Sequence, residues 1–200
     1  MYLLTRSPRG LIGAAAIACA AALIPGIALA ATSSPAAPAA VAATPACATS
    51  GLVVWLDVPA GNGYAGGTYY YLEFTNLSGH ACTLHGSPGV SAVSLSGRQL
   101  GSPARGDYTG SPSAVVLASG ATATAKLQIA DPGDFGTSCL LSGSTPGPGN
   151  PGRLPTAAGL RVYPPNQFKS KVVPYPFAAC AHTGPVWIGV GPVTAGGAPQ

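Results

Sequence analysis

Glycine and proline interrupt this chain so often that long regular helices are excluded as its main architecture. The 200 residues include 28 Gly and 21 Pro, and only 7% of the residues are charged. A coiled coil or a long-helix bundle needs charge-rich heptads, and an acidic disordered tail has few apolar residues. Because 47% of the residues are apolar, we expect a hydrophobic core built from short elements.

The charge balance argues against a nucleic-acid partner. Nine basic and five acidic side chains give a formal net charge of +4. Two of the bases, Arg6 and Arg9, belong to an N-terminal targeting pattern, which leaves seven bases against five acids, or +2. Binding to nucleic acid requires a basic stripe that replaces counterions. We therefore predict no nucleic-acid partner.

Residues 1–30 have the pattern of a secretory signal peptide. Two arginines precede the apolar stretch Leu11–Leu29, and residues 28–30 supply the small side chains of a cleavage site. We expect cleavage after Ala30, a secreted or cell-wall-associated product, and no membrane span in the mature chain. Two alternatives stay open: the stretch is retained as a membrane anchor, or Cys19 becomes the lipidated first residue of a lipoprotein.

Low-complexity segments flank and interrupt the predicted domain. Residues 31–46 combine three prolines with Ala, Ser and Thr, so they bury too little surface to offset the entropy of ordering and are predicted to be a flexible linker. We place the folded domain at residues 47–193 and a disordered tail at 194–200. Residues 142–155, rich in Gly, Pro and Ser, are predicted to form a long mobile loop.

Export leaves an even number of cysteines in the mature chain: Cys47, Cys82, Cys139 and Cys180. In an oxidising compartment this predicts two disulfides. Three pairings are open, and we favour Cys47 with Cys82 and Cys139 with Cys180, because each pair then closes one end of the domain. The alternative is a metal site that combines these thiols with histidines, but neither CxxC nor HxxxH spacing is present. We predict no metal and no cofactor.

Alternating polar and apolar residues predict strands through most of the domain. In Leu52–Val58 the even-numbered apolar residues share one face, and in Thr68–Asn76 the side chains of Tyr70, Leu72 and Phe74 share a face. Further runs are predicted at 81–85, 89–95, 114–117, 121–130, 159–163, 169–175 and 186–193. Seven to nine short strands separated by Gly/Pro turns indicate an all-β protein, a single antiparallel β-sandwich that is immunoglobulin-like only in the loose sense.

Several strings in this order resemble a known family. They are residues 74–79 (FTNLSG), 82–84 (CTL), 86–90 (GSPGV), 97–100 (GRQL), 117–120 (LASG) and 160–165 (LRVYPP). The chain from Cys47 to Val193 resembles the actinobacterial secreted family called domain of unknown function 4232. The resemblance implies an exported β-rich domain with four cysteines and no assigned biochemical role. It brings no catalytic residues to this chain.

The residues give little support for an enzyme. The five acids are Asp57, Glu73, Asp107, Asp131 and Asp134. No GxSxG nucleophile elbow is present, and Asp131 and Asp134 sit in a turn where Asp bonds to its own backbone. A calcium site at this turn is an alternative, although regularly spaced oxygen ligands are missing. A secreted hydrolase is therefore the least favoured function, and no catalytic residue is predicted.

A non-catalytic binding or structural module is the favoured function. Aromatic side chains on outward strand faces bind sugars, peptides or other proteins. The candidate surface patch consists of Trp55, Tyr69, Tyr71 and Trp187. The expected partner is an envelope or extracellular protein or a glycan. The alternative in which these aromatics pack inside the domain stays open, as does a carrier of a small apolar ligand.

Overall fold

The computed structural model describes residues 43–59, 62–106 and 112–198. These residues belong to one compact unit that spans Ala42–Gln200. The predicted signal peptide with Cys19, most of the predicted linker, Asp107 and the last two residues lie outside the described residues.

Short strands supply most of the regular structure, as the alternating patterns predicted. The described residues contain thirteen strands, of which four have only two residues. They are β1 Leu52–Asp57, β2 Gly63–Tyr64, β3 Gly67–Asn76, β4 Cys82–His85, β5 Gly89–Val93, β6 Gln99–Leu100, β7 Arg105–Gly106, β8 Ala114–Leu117, β9 Thr122–Ala130, β10 Thr156–Tyr163, β11 Lys171–Ala178, β12 Ile188–Val190 and β13 Thr194–Ala195. The count exceeds the predicted seven to nine because a two-residue strand has no alternation to detect.

The largest sheet has seven strands. Its main order is β1-β3-β9-β12-β7, with β2 added to β3 and β13 added to β9. The long central pair β3 and β9 runs antiparallel over nine consecutive register positions, from Gly67 opposite Ala130 to Thr75 opposite Thr122. Alternate residues of this pair face the core on one side of the sheet and lie on its outward face on the other.

Two smaller sheets complete the sandwich. One has the order β11-β10-β5-β6, and the other pairs β4 with β8. Two 3-10 helices, Thr49–Gly51 and Pro132–Ser138, precede β1 and follow β9. The all-β sandwich predicted from the sequence is confirmed.

One strand pair departs from the predicted antiparallel arrangement. β7 lies beside β12 in parallel, with Arg105 opposite Gly189 and Gly106 opposite Val190. The N–H of Ala104 still donates to the Val90 carbonyl of β5 at 2.8 Å. The chain therefore crosses from the four-stranded sheet to the large sheet directly before Arg105. There it forms the edge strand β7, which runs parallel to β12.

The core lies between the sheets and includes side chains from all three. The face of β3 predicted to point inward does so, because Tyr70, Leu72 and Phe74 are all buried. They belong to one cluster with Leu127 of β9 and Leu160 of β10. Burial of one such side chain contributes about 1.5–3 kcal/mol to stability.

Both disulfides join the cysteines favoured by the sequence, namely Cys47 with Cys82 and Cys139 with Cys180. The thiol–metal alternative is wrong, since the four sulfurs are bonded in two pairs and none is a thiol. Backbone hydrogen bonding to β4 begins before residue 47, whereas the linker was predicted to extend to residue 46. The Thr83 N–H donates to the Pro45 carbonyl at 2.8 Å, and Ala46 forms a bridge with Thr83.

The boundary predicted at residue 193 is also too early. Thr194 and Ala195 form β13, which pairs with Thr124 and Ala123 of β9. The predicted loop at 142–155 contains turns and one isolated bridge, between Gly147 and Asn150, and no strand or helix.

Candidate functional site

The outward face of the large sheet carries three of the four aromatic side chains predicted to form a binding patch. Strand alternation turns Tyr69, Tyr71 and Glu73 of β3 to this face, opposite to the buried residues between them. The register with β9 then sets the cross-strand pairs. Tyr69 lies opposite Gln128, Tyr71 opposite Lys126, and Glu73 opposite Thr124.

A groove of about 440 Å³ runs along this face. Its lining includes Tyr69 and Tyr71 of β3, Lys126 and Gln128 of β9, and residues of the segment from Gly189 to Gly197. β9 lies between β3 and β12 in the sheet. Two glycines keep it open. A side-chain carbon on Gly189 would stand 3.8 Å from Gln128 Cβ, and one on Gly191 would stand 3.8 Å from the Lys126 carbonyl oxygen. Larger residues at these positions would fill the groove from its floor.

The polar side chains at one end of the groove hold one another in place. The Lys126 ammonium lies 3.8 Å above the centre of the Tyr69 ring, a cation–π contact. The Tyr64 ring lies 4.5 Å from the same ring, centre to centre. The Gln128 side-chain amide donates to the Tyr64 hydroxyl at 2.7 Å. Lys126 and Gln128 are thus positioned without a ligand, which lowers the entropy cost of binding one.

The C-terminal segment forms the other end of the groove. The buried Glu73 carboxylate accepts a hydrogen bond from the Ala198 N–H at 2.9 Å. The hydroxyls of Thr124 and Thr194 lie 3.3 Å apart. These contacts fix the segment beside β3 and β9, so the groove has two defined walls.

Three of the four predicted patch residues lie on this face, and the fourth does not. Trp55 of β1 is 46% exposed and lies opposite Glu73, beside the groove. The prediction for Trp187 is wrong, because this side chain is 1% exposed and packs with its ring centre 6.0 Å from that of Phe177. Trp187 precedes β12 by one residue, so strand alternation does not set its direction.

The sequence prediction missed the groove's polar members and its floor. Lys126 and Gln128 alternate with buried Ala125, Leu127 and Ile129, so alternation within the predicted strand 121–130 contained the signal for their outward direction. Local sequence carried no signal that β9 pairs with β3, or that Gly189 and Gly191 lie across from them.

A second cavity, of about 510 Å³, includes Tyr70, Asp131 and Asp134 in its lining. Asp131 caps the second 3-10 helix by accepting from the Gly133 N–H at 2.8 Å. In the described residues no group of three or more His, Cys, Asp or Glu side chains has the arrangement of a metal site. Burial raises the pKa of Tyr70 to about 12, and its hydrogen bond with Tyr175 acts in the same direction.

Within the part of the chain that the structure describes, no helix has both the length and the apolar character needed to cross a bilayer. No curated protein and no solved structure matches the chain. One sequence family does match, described as "Domain of unknown function (DUF4232)", and it covers residues 47–194. This range begins at the first disulfide cysteine and ends in β13, so it contains the groove-lining residues of β3 and β9 but not Ala195 and Gly197. The chain belongs to the DUF4232 family.

Proposed function

We propose that this protein is a secreted, non-catalytic binding module whose outer-face groove holds a partner in the cell envelope or the extracellular space. The observation that carries the proposal is the preformed groove, with aromatic, cationic and amide side chains held in register by β3 and β9. Binding sites placed on rigid strands keep their geometry without a ligand.

Two features support the extracellular location. Disulfides persist in oxidising compartments outside the cytoplasm, and this domain has two. The first thirty residues have the sequence pattern of a signal peptide. Cleavage after Ala30 would release the domain with its disulfides, and lipidation at Cys19 would instead tether it to a membrane surface.

The composition of the groove supports binding over catalysis. Its described lining contains no His, Cys, Ser, Asp or Glu, the side chains that most often act as nucleophile or general base. The nearby Glu73 carboxylate bonds to the backbone of Ala198. A Ser-His-Asp triad, a cysteine nucleophile or a pair of carboxylates would have to lie elsewhere.

The carrier of a small apolar ligand has less support than the binding module. An apolar carrier needs an enclosed cavity, whereas side chains such as Leu72, Phe74 and Leu160 fill the space between the sheets and are 0% exposed. Native mass spectrometry of the protein from its own culture medium tests the carrier. Extra mass that disappears on denaturation would favour it over the binding module.

Co-sedimentation with the cell-wall fraction of the producing organism tests the binding module. The purified domain, residues 31–200, is mixed with the washed wall fraction, and the bound share is measured by quantitative blotting. We expect Tyr71→Ala to lower the bound share at least fivefold. Phe168→Ala is the matched control, because Phe168 is 98% exposed and lies in the β10–β11 connection.

Equal binding of both variants and the unaltered protein would refute the groove as the binding surface. Retention of none of the three would refute attachment to the wall. Release of sugar or peptide fragments by the protein would refute the non-catalytic assignment.

A further inference from the structure

The groove on the outer face contains one charged side chain among its described lining residues, Lys126. Its ammonium is held over Tyr69. Tyr71 lies directly opposite Lys126, and Gln128 lies two residues further along β9, opposite Tyr69. Such a site favours an anion, and one ammonium matches one carboxylate better than a run of phosphates. The near-neutral domain also lacks the basic stripe that a polyphosphate backbone requires.

Hydroxyl and amide groups dominate the remaining polar lining. Thr124, Lys126 and Gln128 are alternate residues of β9, so their side chains repeat about every 7 Å along the groove. The Thr194 hydroxyl lies across from Thr124. Thr124 is 4% exposed, so the half-buried Gln128 amide and the exposed Thr194 hydroxyl are the groups able to donate to and accept from sugar hydroxyls. The Tyr71 side chain is half-buried and offers an aromatic surface for the C–H face of a sugar ring.

An acidic peptide fits the same groove less well. Extended peptides bind by adding a strand to a free sheet edge and by filling side-chain pockets. β9 has no free edge here, because it pairs with β3 on one side and with β12 and β13 on the other. β12, which contains Gly189, is also paired on both sides, with β9 and β7. The groove therefore offers a peptide no unpaired strand edge.

From these observations, and resting on the proposed function, we infer that the groove binds an acidic glycan, with a sugar carboxylate at Lys126 and a sugar ring against Tyr71. The open groove accommodates a segment of a longer chain. The Gln128 amide and the Thr194 hydroxyl contact the sugar hydroxyls.

Titration with defined oligosaccharides tests the ligand class. The probes are oligomers of galacturonate, glucuronate and mannuronate, each paired with its methyl ester, and the readout is amide chemical shifts with dissociation constants. We expect at least one acid oligomer to bind, with shifts at Lys126 and Gln128. Its methyl ester should bind at least tenfold more weakly, and added NaCl should weaken the acid form.

Variants separate charge from ring stacking. Lys126→Met should remove the preference for acid over ester, while Lys126→Arg should keep it. Tyr71→Ala should weaken acid and ester alike. Lys169→Met is the matched charge control, because Lys169 is exposed and precedes β11, and it should bind like the unaltered protein.

Several outcomes would overturn the inference. These are failure of all three acid oligomers, equal binding of acid and ester, shifts outside the groove, or tighter binding of an oligoglutamate peptide, which would assign the groove to acidic peptides. If wall binding still depends on Tyr71 in any of these cases, the binding-module function stands and only the glycan assignment fails. Loss of the Tyr71 dependence refutes the proposed function itself.

Discussion

At the scale of single residues, Asn76 joins three segments of the chain. Its side-chain amide lies within hydrogen-bond distance of the carbonyls of His80, Leu117 and Ala118, at 2.8 to 3.2 Å. Its side-chain oxygen accepts from the backbone N–H of Ser78 at 3.0 Å. Asn76 is 0% exposed and its bond with the Leu117 carbonyl is buried, so water cannot replace that bond. These contacts tie the end of β3 to the end of β8.

We predict that Asn76→Ala lowers the free energy of unfolding by about 3 kcal/mol, because the buried Leu117 carbonyl loses its donor and the other bonds of the side chain are lost with it. Urea denaturation with the disulfides intact measures the change. Asn150→Ala is the control, since Asn150 is exposed and the described hydrogen bond of its side chain is the one accepted from the Gly152 N–H; its loss should stay below about 1 kcal/mol. Equal losses in the two variants would contradict the role of Asn76.

Gly101 lies where a side chain would meet the buried Trp187. Its φ is +66°, and an added Cβ would stand 2.5 Å from Trp187 Nε1 and 2.9 Å from Cys180 Cβ. Gly120 shares the positive φ, at +83°, but an added Cβ there meets nothing within 4 Å. The two positions therefore separate backbone strain from steric overlap.

We predict a loss of about 1–2 kcal/mol for Gly120→Ala, from the left-handed backbone alone. Gly101→Ala should lose at least twice as much, because overpacking of a core adds to that strain. Thermal unfolding of both variants measures the difference. Similar melting temperatures would show that Trp187 moves aside freely.

At the scale of elements, alternation predicted where strands lie but not which strands pair. The predicted runs 68–76, 114–117 and 121–130 match β3, β8 and β9 to within a residue at each end. Strand periodicity is local, so a single sequence reveals it. The pairing of β3 with β9 joins residues 47 (Thr75 and Thr122) to 63 (Gly67 and Ala130) positions apart, and no local pattern encodes it. The groove depends on that pairing, which is why its tyrosines were found from sequence and its lysine was not.

Prolines limit further strand pairing at the free edge of β11, in the four-stranded sheet. Pro174 and Pro176 are exposed, and neither has an N–H to offer to another strand. β11 pairs only with β10 in its sheet. The edge therefore lacks part of the hydrogen-bonding row that would recruit a second chain.

We predict that the double variant Pro174→Thr, Pro176→Thr raises the dimer or aggregate fraction several-fold over that of the unaltered protein. Sedimentation velocity at several concentrations measures the fraction. Pro148→Thr with Pro151→Thr is the control, because both residues are exposed in the loop between the second 3-10 helix and β10. Unchanged sedimentation of the β11 variant would show that the prolines do not protect the edge.

At the scale of the whole molecule, two disulfides cross-link a β-sandwich with a packed core, and the groove lies on the outer face of its large sheet. Cys47–Cys82 spans 35 residues and ties the start of the domain to β4. Cys139–Cys180 spans 41 residues and ties the end of the second 3-10 helix to the segment after β11. The groove lies on a separate surface of the large sheet, so the bonds stabilise its frame without entering it.

We predict that Cys47→Ala with Cys82→Ala lowers the free energy of unfolding by about 4 kcal/mol, and Cys139→Ala with Cys180→Ala by a similar amount. In the chain-entropy model the loss depends on the length of the closed loop, and the two loops are alike. Urea denaturation of each double variant measures it. A loss below about 1 kcal/mol in either variant would show that the bond adds little to the fold.

Photo-crosslinking at single positions tests most directly whether the outer-face groove is the binding surface. Benzoylphenylalanine is placed at Tyr71 in one strain and at Phe168 in another, and cells secreting each protein are irradiated in culture. We predict a discrete higher-mass product from position 71 and none from position 168, and Lys126→Met in the same chain should diminish it. Products of equal yield from both positions, or a product from position 168 alone, would contradict the groove as the site where this protein meets its partner.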